Sequence, residues 1–120
     1  YYTKTYTFKN NKELYDAINL WLYDRNQCIT KYGHISFWDV SRITDMQWLF
    51  SNCYHFNQDI SRWDVVNVKN MRCMFFSACS FNQNISSWNI SDVTNTTDMF
   101  DFCHIKKQYK PKIGNKLLLI

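Results

Sequence analysis

Apolar positions recur along this chain with a period of 25 residues. Three stretches align without a gap: ISFWDVSRITDMQWLFSNCYHFNQD (35–59), ISRWDVVNVKNMRCMFFSACSFNQN (60–84) and ISSWNISDVTNTTDMFDFCHIKKQY (85–109). Ile35, Ile60 and Ile85 coincide, as do Trp38, Trp63 and Trp88, and Phe50, Phe75 and Phe100. Repetition at a fixed period of this length marks a chain built from like units that share one core. Within a unit, Trp38 and Val40 flank a polar residue, as do Trp63 and Val65, and Trp88 and Ile90. That alternation is the period of a strand with one buried face. Farther on, Met46, Leu49, Phe50 and Cys53 fall at i, i+3, i+4 and i+7, as do Met71, Met74, Phe75 and Ala78. This spacing predicts two helical turns with one apolar stripe. Asp45, Asn70 and Asn95 stand just before the stripes, where they read as helix N-caps.

Two helical turns or one isolated strand would not survive alone in water. Stacking in register would solve both problems, so the expected fold class is an α/β repeat solenoid. It would be right-handed, with short parallel strands centred on Asp39, Asp64 and Asn89, short helices, and an N-terminal capping helix. The cap is placed across 11–27, where Leu14, Ala17, Ile18, Trp21 and Leu22 form an amphipathic stripe. Asn10 and Glu13 open it in the manner of a capping box. The expected division is an N-terminal strand and capping helix at 1–34, the three repeats at 35–59, 60–84 and 85–109, and a basic tail at 110–120. The third repeat decays, with Thr96 in the Met phase, Lys106 in the Phe phase and Lys107 in the Asn phase. Asn57 and Gln58 return as Asn82 and Gln83, either as a hydrogen-bonded ladder between repeats or as solvated turn residues.

The run FNQDISRWDVVNVKNMRCMFFSACSFNQNISSWNI resembles the BspA-like leucine-rich-repeat surface proteins, a family also described from mycoplasma lipoproteins. The likeness covers 35 to about 103, and 14–35 looks like the leader that often precedes such arrays. The resemblance implies a leucine-rich-repeat-type solenoid that binds rather than catalyses, on surface proteins of bacteria and protists and in large DNA viruses. It implies a cell-surface or virion location and brings no catalytic residues. The degenerate third repeat and the lysine tail depart from the pattern.

Charge narrows the partners. The formal +4 is concentrated in Lys106, Lys107, Lys110, Lys112 and Lys116, so residues 1–105 sum to −1, which is +4 less five lysines. Nucleic acid would call for basic residues spread over the folded face, so the expected partner is protein, and the tail is either solvated, its default, or docked on an acidic partner or anionic lipid. No stretch reaches the ~20 apolar residues of a membrane span. With five Cys and three His at unrelated phases and no CxxC pair, zinc and cofactors are not expected. Cys53 and Cys103 share the phase of Ala78 and read as core thiols. Cys73 reads as exposed, and a Cys53–Cys79 bridge is conceivable only if Cys79 turns inward. Asn84-Ile-Ser86, Asn89-Ile-Ser91 and Asn95-Thr-Thr97 have the form of glycosylation sequons, in a chain where Asn, Ser and Thr are common enough for coincidence.

Three function classes follow: a non-catalytic protein-binding module of a surface protein, a structural or assembly component of a virion or envelope, and, last, an enzyme. For binding, the strand phase selects a face. If Trp and Val point inward, then Phe37, Asp39 and Ser41 lie over Arg62, Asp64 and Val66, which lie over Ser87, Asn89 and Ser91. Phe37 and Arg62 would be its anchors. The competing reading is that Phe37 packs on the cap and the Asp side chains bond their own following turns. The partner would then sit on the opposite side, near Trp48, Arg72 and Phe76.

Overall fold

Asn10 opens the first helix as expected, its side chain accepting the Glu13 amide at 2.9 Å, while the Glu13 carboxylate reaches back to the amide of Lys9 at 2.9 Å rather than to that of Asn10 as in a capping box. The computed structural model describes residues 5–113 and 116–117. Helix α1 (Asn11–Tyr23) buries Leu14, Ala17, Ile18 and Trp21. The single helix expected across 11–27 is instead two. Asp24, extended at φ −147°, ends α1 and caps α2 (Arg25–Tyr32) through the Gln27 amide at 3.2 Å. Leu22, expected on the apolar stripe, is left 49 % exposed by the break.

The leucine-rich-repeat α/β solenoid is not what the chain forms. Among the described residues the three repeats contain no α-helix and no strand; 3₁₀ turns at Ile35–Phe37 and Lys107–Tyr109 and isolated bridges are all they show. Beyond those bridges, β pairing among the described residues amounts to Lys112–Ile113 against Lys116–Leu117. The N-terminal strand reduces to one bridge between Thr7 and Asp39, with residues 1–4 outside the described residues. The molecule is a compact body of 38 × 27 × 26 Å.

The backbone explains the difference. In the first repeat the amides of Leu49, Ser51 and Cys53 bond the carbonyls of Met46, Trp48 and Phe50, three residues back. The amides between them, on Met46, Trp48, Phe50 and Asn52, bond Asn70, Arg72, Met74 and Phe76 of the next repeat at 2.8–3.0 Å. The second repeat does the same: Met71, Cys73, Phe75 and Ser77 bond Asn95, Thr97, Met99 and Asp101. An α-helix needs consecutive amides turned back on itself and a strand needs them turned outward, whereas this segment alternates. Trp48, Asn52, Cys73, Ser77, Asp98 and Phe102 take positive φ of 53–61° to close the overlapping turns, a region that interrupts any helix. Asp45, Asn70 and Asn95 are therefore not helix caps. Their side chains accept the amides two residues on, from Gln47, Arg72 and Thr97, at 2.9–3.0 Å.

The expected strands at Asp39, Asp64 and Asn89 fail for a related reason. Each of these side chains accepts the amide two residues on, at 3.0–3.1 Å, which curls the chain and removes that amide from any ladder. The parallel bridges between repeats run instead through Asp45, Asn70 and Asn95.

Side-chain columns fill the space enclosed by these turns. Trp38, Trp63 and Trp88 are buried, and Trp63 and Trp88 donate their indole N–H to the Ile35 and Ile60 carbonyls at 2.9 and 3.1 Å. Phe50, Phe75 and Phe100 stack at 5.4 Å with rings within 13° of parallel, and Phe56 stacks on Phe81 at 5.9 Å. Asn57 and Asn82 carry a polar ladder beside them, accepting the Asn82 and Lys106 amides at 2.9 Å. Trp63→Ala empties the centre of the indole column and is expected to cost about 3–5 kcal/mol, while Trp63→Phe, which removes the indole donor and leaves the Ile35 carbonyl only the Trp38 amide, costs about 1 kcal/mol. Denaturant unfolding of the two variants beside the parent measures both; an alanine variant as stable as the parent would refute the column.

Candidate functional site

The nine face residues lie where the Asx turns put them. Phe37, Arg62, Asp64, Ser87, Asn89 and Ser91 are exposed, while Asp39, Ser41 and Val66 are half-buried. The Arg62 guanidinium sits 5.1 Å above the Phe37 ring, and the pair borders a depression of about 290 Å³ with Thr5, Ser36, Asp39 and Asp64. Much of the polar capacity of the face is used internally. Asp39 accepts both the Ser41 amide and the Thr7 hydroxyl at 3.0 Å, and the Ser41 carbonyl accepts the Asn67 side-chain amide at 2.7 Å. Asn89 accepts the Ser91 amide and hydroxyl, and its backbone is bridged to Lys112. Phe37 and Arg62 thus stand together as an exposed pair, and the carboxylates beside them serve the turns.

A second surface lies on the side of the overlapping turns. Trp48 and Phe76 are 5.7 Å apart, Phe76 and Phe102 5.6 Å, and the Arg72 guanidinium lies 5.3 Å from the Trp48 ring. The row crosses all three repeats, with Trp48 40 % and Phe102 70 % exposed. Trp48 and Phe102 are also left-handed, at φ 61° and 58°, a conformation that costs an L-residue roughly 1–2 kcal/mol and that Gly or Asn adopts with less penalty. Both rings nevertheless stand part in solvent. Phe102 is missed by the repeat phase, because it occupies the position of Asn52 and Ser77 rather than that of Phe76.

The thiols are differently placed from the sequence expectation. Cys73 is buried at 2 % exposure, not exposed, since a small side chain in the middle repeat has neighbours on both sides. Cys53 and Cys103 are half-buried and Cys79 exposed, and all five cysteines are free. Burial pushes Cys28 and Cys53 up to about 11 and raises Cys103, so these thiols are protonated at neutral pH. Among the described residues no three His, Cys, Asp or Glu come together as a metal site, and no helix is long and apolar enough to cross a membrane. Two tail lysines lie over rings of the chain itself, Lys106 over Tyr109 at 5.4 Å and Lys110 over Phe100 at 5.3 Å. The Lys116 side chain lies outside the described residues.

Residues 21–108 match the family model described as "Mycoplasma protein of unknown function, DUF285". The chain belongs to this family. The match agrees with the mycoplasma side of the resemblance and does not extend to the BspA-like leucine-rich-repeat proteins. No curated protein and no solved structure matches the chain. In this DUF285 chain the matched stretch contains both the nine-residue face and the aromatic row, together with α2 and the end of α1.

The carboxylates around the N-terminal cap set its pH range. The Tyr6 hydroxyl donates to Glu13 at 2.6 Å, which lowers the Glu13 pKa and, from the other side, raises Tyr6 to about 12. Asp39 and Asp59 are lowered by hydrogen bonds from Ser41 and Ser61. A carboxylate lowered on folding contributes stability that is present above its unfolded pKa and lost as pH falls through the folded one. A raised tyrosine contributes stability present below its unfolded value of 10.0 and lost as pH rises toward about 12. The melting temperature is therefore expected to be level through neutral pH, to fall below the ordinary carboxylate range and to fall again above ~10. Glu13→Gln should soften both limbs; melting curves across pH that are unchanged by this variant would rule out the Tyr6–Glu13 contribution.

Proposed function

We propose that this chain is a non-catalytic protein-binding module of a surface protein, of the kind found in BspA-like surface proteins, and that it engages its partner through Trp48, Arg72, Phe76 and Phe102. The observation that carries the reading is the placement of Trp48 and Phe102. Both are exposed aromatics on left-handed backbone, where folding alone favours a small or polar residue. Exposed aromatic and arginine side chains in one row are the composition of an interface centre. The Phe37–Arg62 pair supplies a second, smaller patch of the same chemistry.

Asparagine tolerates left-handed backbone, so Trp48→Asn with Phe102→Asn separates binding from folding. The double variant is expected to keep the parent's melting temperature within a few degrees and to lose about 2 kcal/mol of partner affinity, roughly 30-fold. The measurement is immobilised chain against a host-cell surface protein extract, with Phe37→Ala and Arg62→Ala combined as the comparison. Loss confined to the Phe37/Arg62 variant would move the site to the nine-residue face. If neither variant changes capture, and ultracentrifugation shows self-association that the row variant abolishes, the exposed rings serve assembly and the binding reading fails.

A further inference from the structure

Cys79 and Cys103 are brought close by a one-residue change of register between the second and third repeats. On one side the Ser77 amide bonds the Asp101 carbonyl at 2.8 Å, and on the other the Lys106 amide bonds the Asn82 side chain at 2.9 Å. An amide that bonds the carbonyl 24 residues on belongs to residues paired 25 apart, as Met46 to Asn70 accompanies the Asp45–Asn70 bridge. Ser77 is therefore level with Phe102, whereas Asn82 is level with Lys106, 24 on. Across this one-residue change Cys103 lies between Ala78 and Cys79. Facing residues on neighbouring hydrogen-bonded backbones lie ~4.8 Å apart, inside the ~7 Å Cα separation beyond which a disulfide cannot close.

Register also excludes the other pairing. Between the first and second repeats the register is 25 on both sides, with left-handed Asn52 and Ser77 level and the Asn57 side chain on the Asn82 amide. Cys53 therefore faces Ala78 and not Cys79. Cys28 and Cys73 are buried at 0 % and 2 % exposure. Cys79 is exposed and Cys103 half-buried. Their sulfurs rest on two carbonyls of one short loop, Ser77 at 3.4 Å and Phe81 at 3.6 Å.

We propose that Cys79 and Cys103 form a dithiol–disulfide site whose co-reactant is a small-molecule disulfide such as oxidised glutathione. The exposed Cys79 thiolate attacks one glutathione sulfur, forming a mixed disulfide and expelling the other half as a thiolate that takes up a proton. Cys103 then loses its proton and attacks the Cys79 sulfur, forming the intramolecular disulfide and expelling the second glutathione. Two protein thiols are oxidised, one glutathione disulfide is reduced to two thiols, and no other reactant is needed. The product ties the third repeat to the second by a covalent rung. Burial raises the Cys103 thiol, with Cys79 adding to the effect, so the second step accelerates as pH rises.

The full chain is treated with oxidised glutathione and followed by intact mass, peptide mapping and melting temperature. The expected product is two hydrogens lighter than the parent, carries one Cys79–Cys103 crosslinked peptide and melts higher than the reduced chain. Cys103→Ala, which places at 103 the residue already present at Ala78, should stop at one glutathionyl group on Cys79. Cys79→Ser should show neither product. A crosslink between Cys53 and Cys79, or a parent that stops at the mixed disulfide even at alkaline pH, overturns the assignment.

Discussion

A backbone amide shut away from water must find an acceptor, and the repeats of this chain meet that demand by dividing their amides between two destinations. Odd positions from Leu49 to Cys53 turn back three residues, while even positions from Met46 to Asn52 reach across to the next repeat. Each half of the pattern requires the other. The turns bring alternate amides outward in one plane, and the cross-links hold the turns at a spacing that a free peptide would not keep. Everything buried depends on that spacing: the phenylalanine rings stack at 5.4 Å because the backbones beneath them are linked rung by rung.

The first end of this arrangement needs closing, and helix α1 does so with side chains. Asn11 accepts the Thr44 and Asp45 amides at 3.3 and 3.4 Å, and the Tyr15 hydroxyl donates to the Gln47 carbonyl, the position equivalent to the Arg72 carbonyl that receives Trp48. Tyr15 thus stands in for a preceding repeat, and its burial raises its pKa well beyond the ordinary tyrosine value. At the other end Ile85 bonds Tyr109 and Asn89 bridges Lys112, while Lys110 lies over the last ring of the stack, Phe100. A lysine can cover a ring with its stem and keep its ammonium in water, which suits a position between core and solvent.

The register and the contents of the core were legible in the sequence, and the conformation between them was not. Trp38, Trp63 and Trp88 could be placed inward, and Asn57 could be paired with Asn82, from spacing alone. Helical turns were expected at Met46–Cys53 because two arrangements bury the same residues. Overlapping turns of three residues, like an α-helix, bring Met46, Leu49, Phe50 and Cys53 to one side. Asp45 was ambiguous for the same reason, since an Asx turn and an N-cap both use a short polar side chain to accept an amide two residues on and differ in whether a helix follows. The strand at Asp39 was misread because alternation reports which residues are buried and not where the amides go. On the surface, Phe37 and Arg62 could be brought together by counting, whereas Phe102 could not, because it meets Phe76 across a phase boundary.

The aromatic row follows from the turns in a way that limits which side chains it can hold. Overlapping turns repeat two left-handed positions in every repeat, at Trp48 and Asn52, Cys73 and Ser77, Asp98 and Phe102. Four of these six hold Asn, Ser, Cys or Asp, small residues for which left-handed backbone is tolerable or a side chain can be tucked away. The remaining two are the bulky aromatics Trp48 and Phe102, one in the first repeat and one in the third, and Phe76 in the second bridges them at 5.7 and 5.6 Å. Had the rings served only to cover the turns, they would be buried; at 40 % and 70 % exposure much of each stands in solvent. A partner that covered them would bury the remainder, since each aromatic side chain carries 150–250 Å² of burial capacity. The backbone geometry that rules out helices and strands in the repeats is therefore also what lifts these rings into solvent, so the proposed binding surface and the unusual fold have one cause.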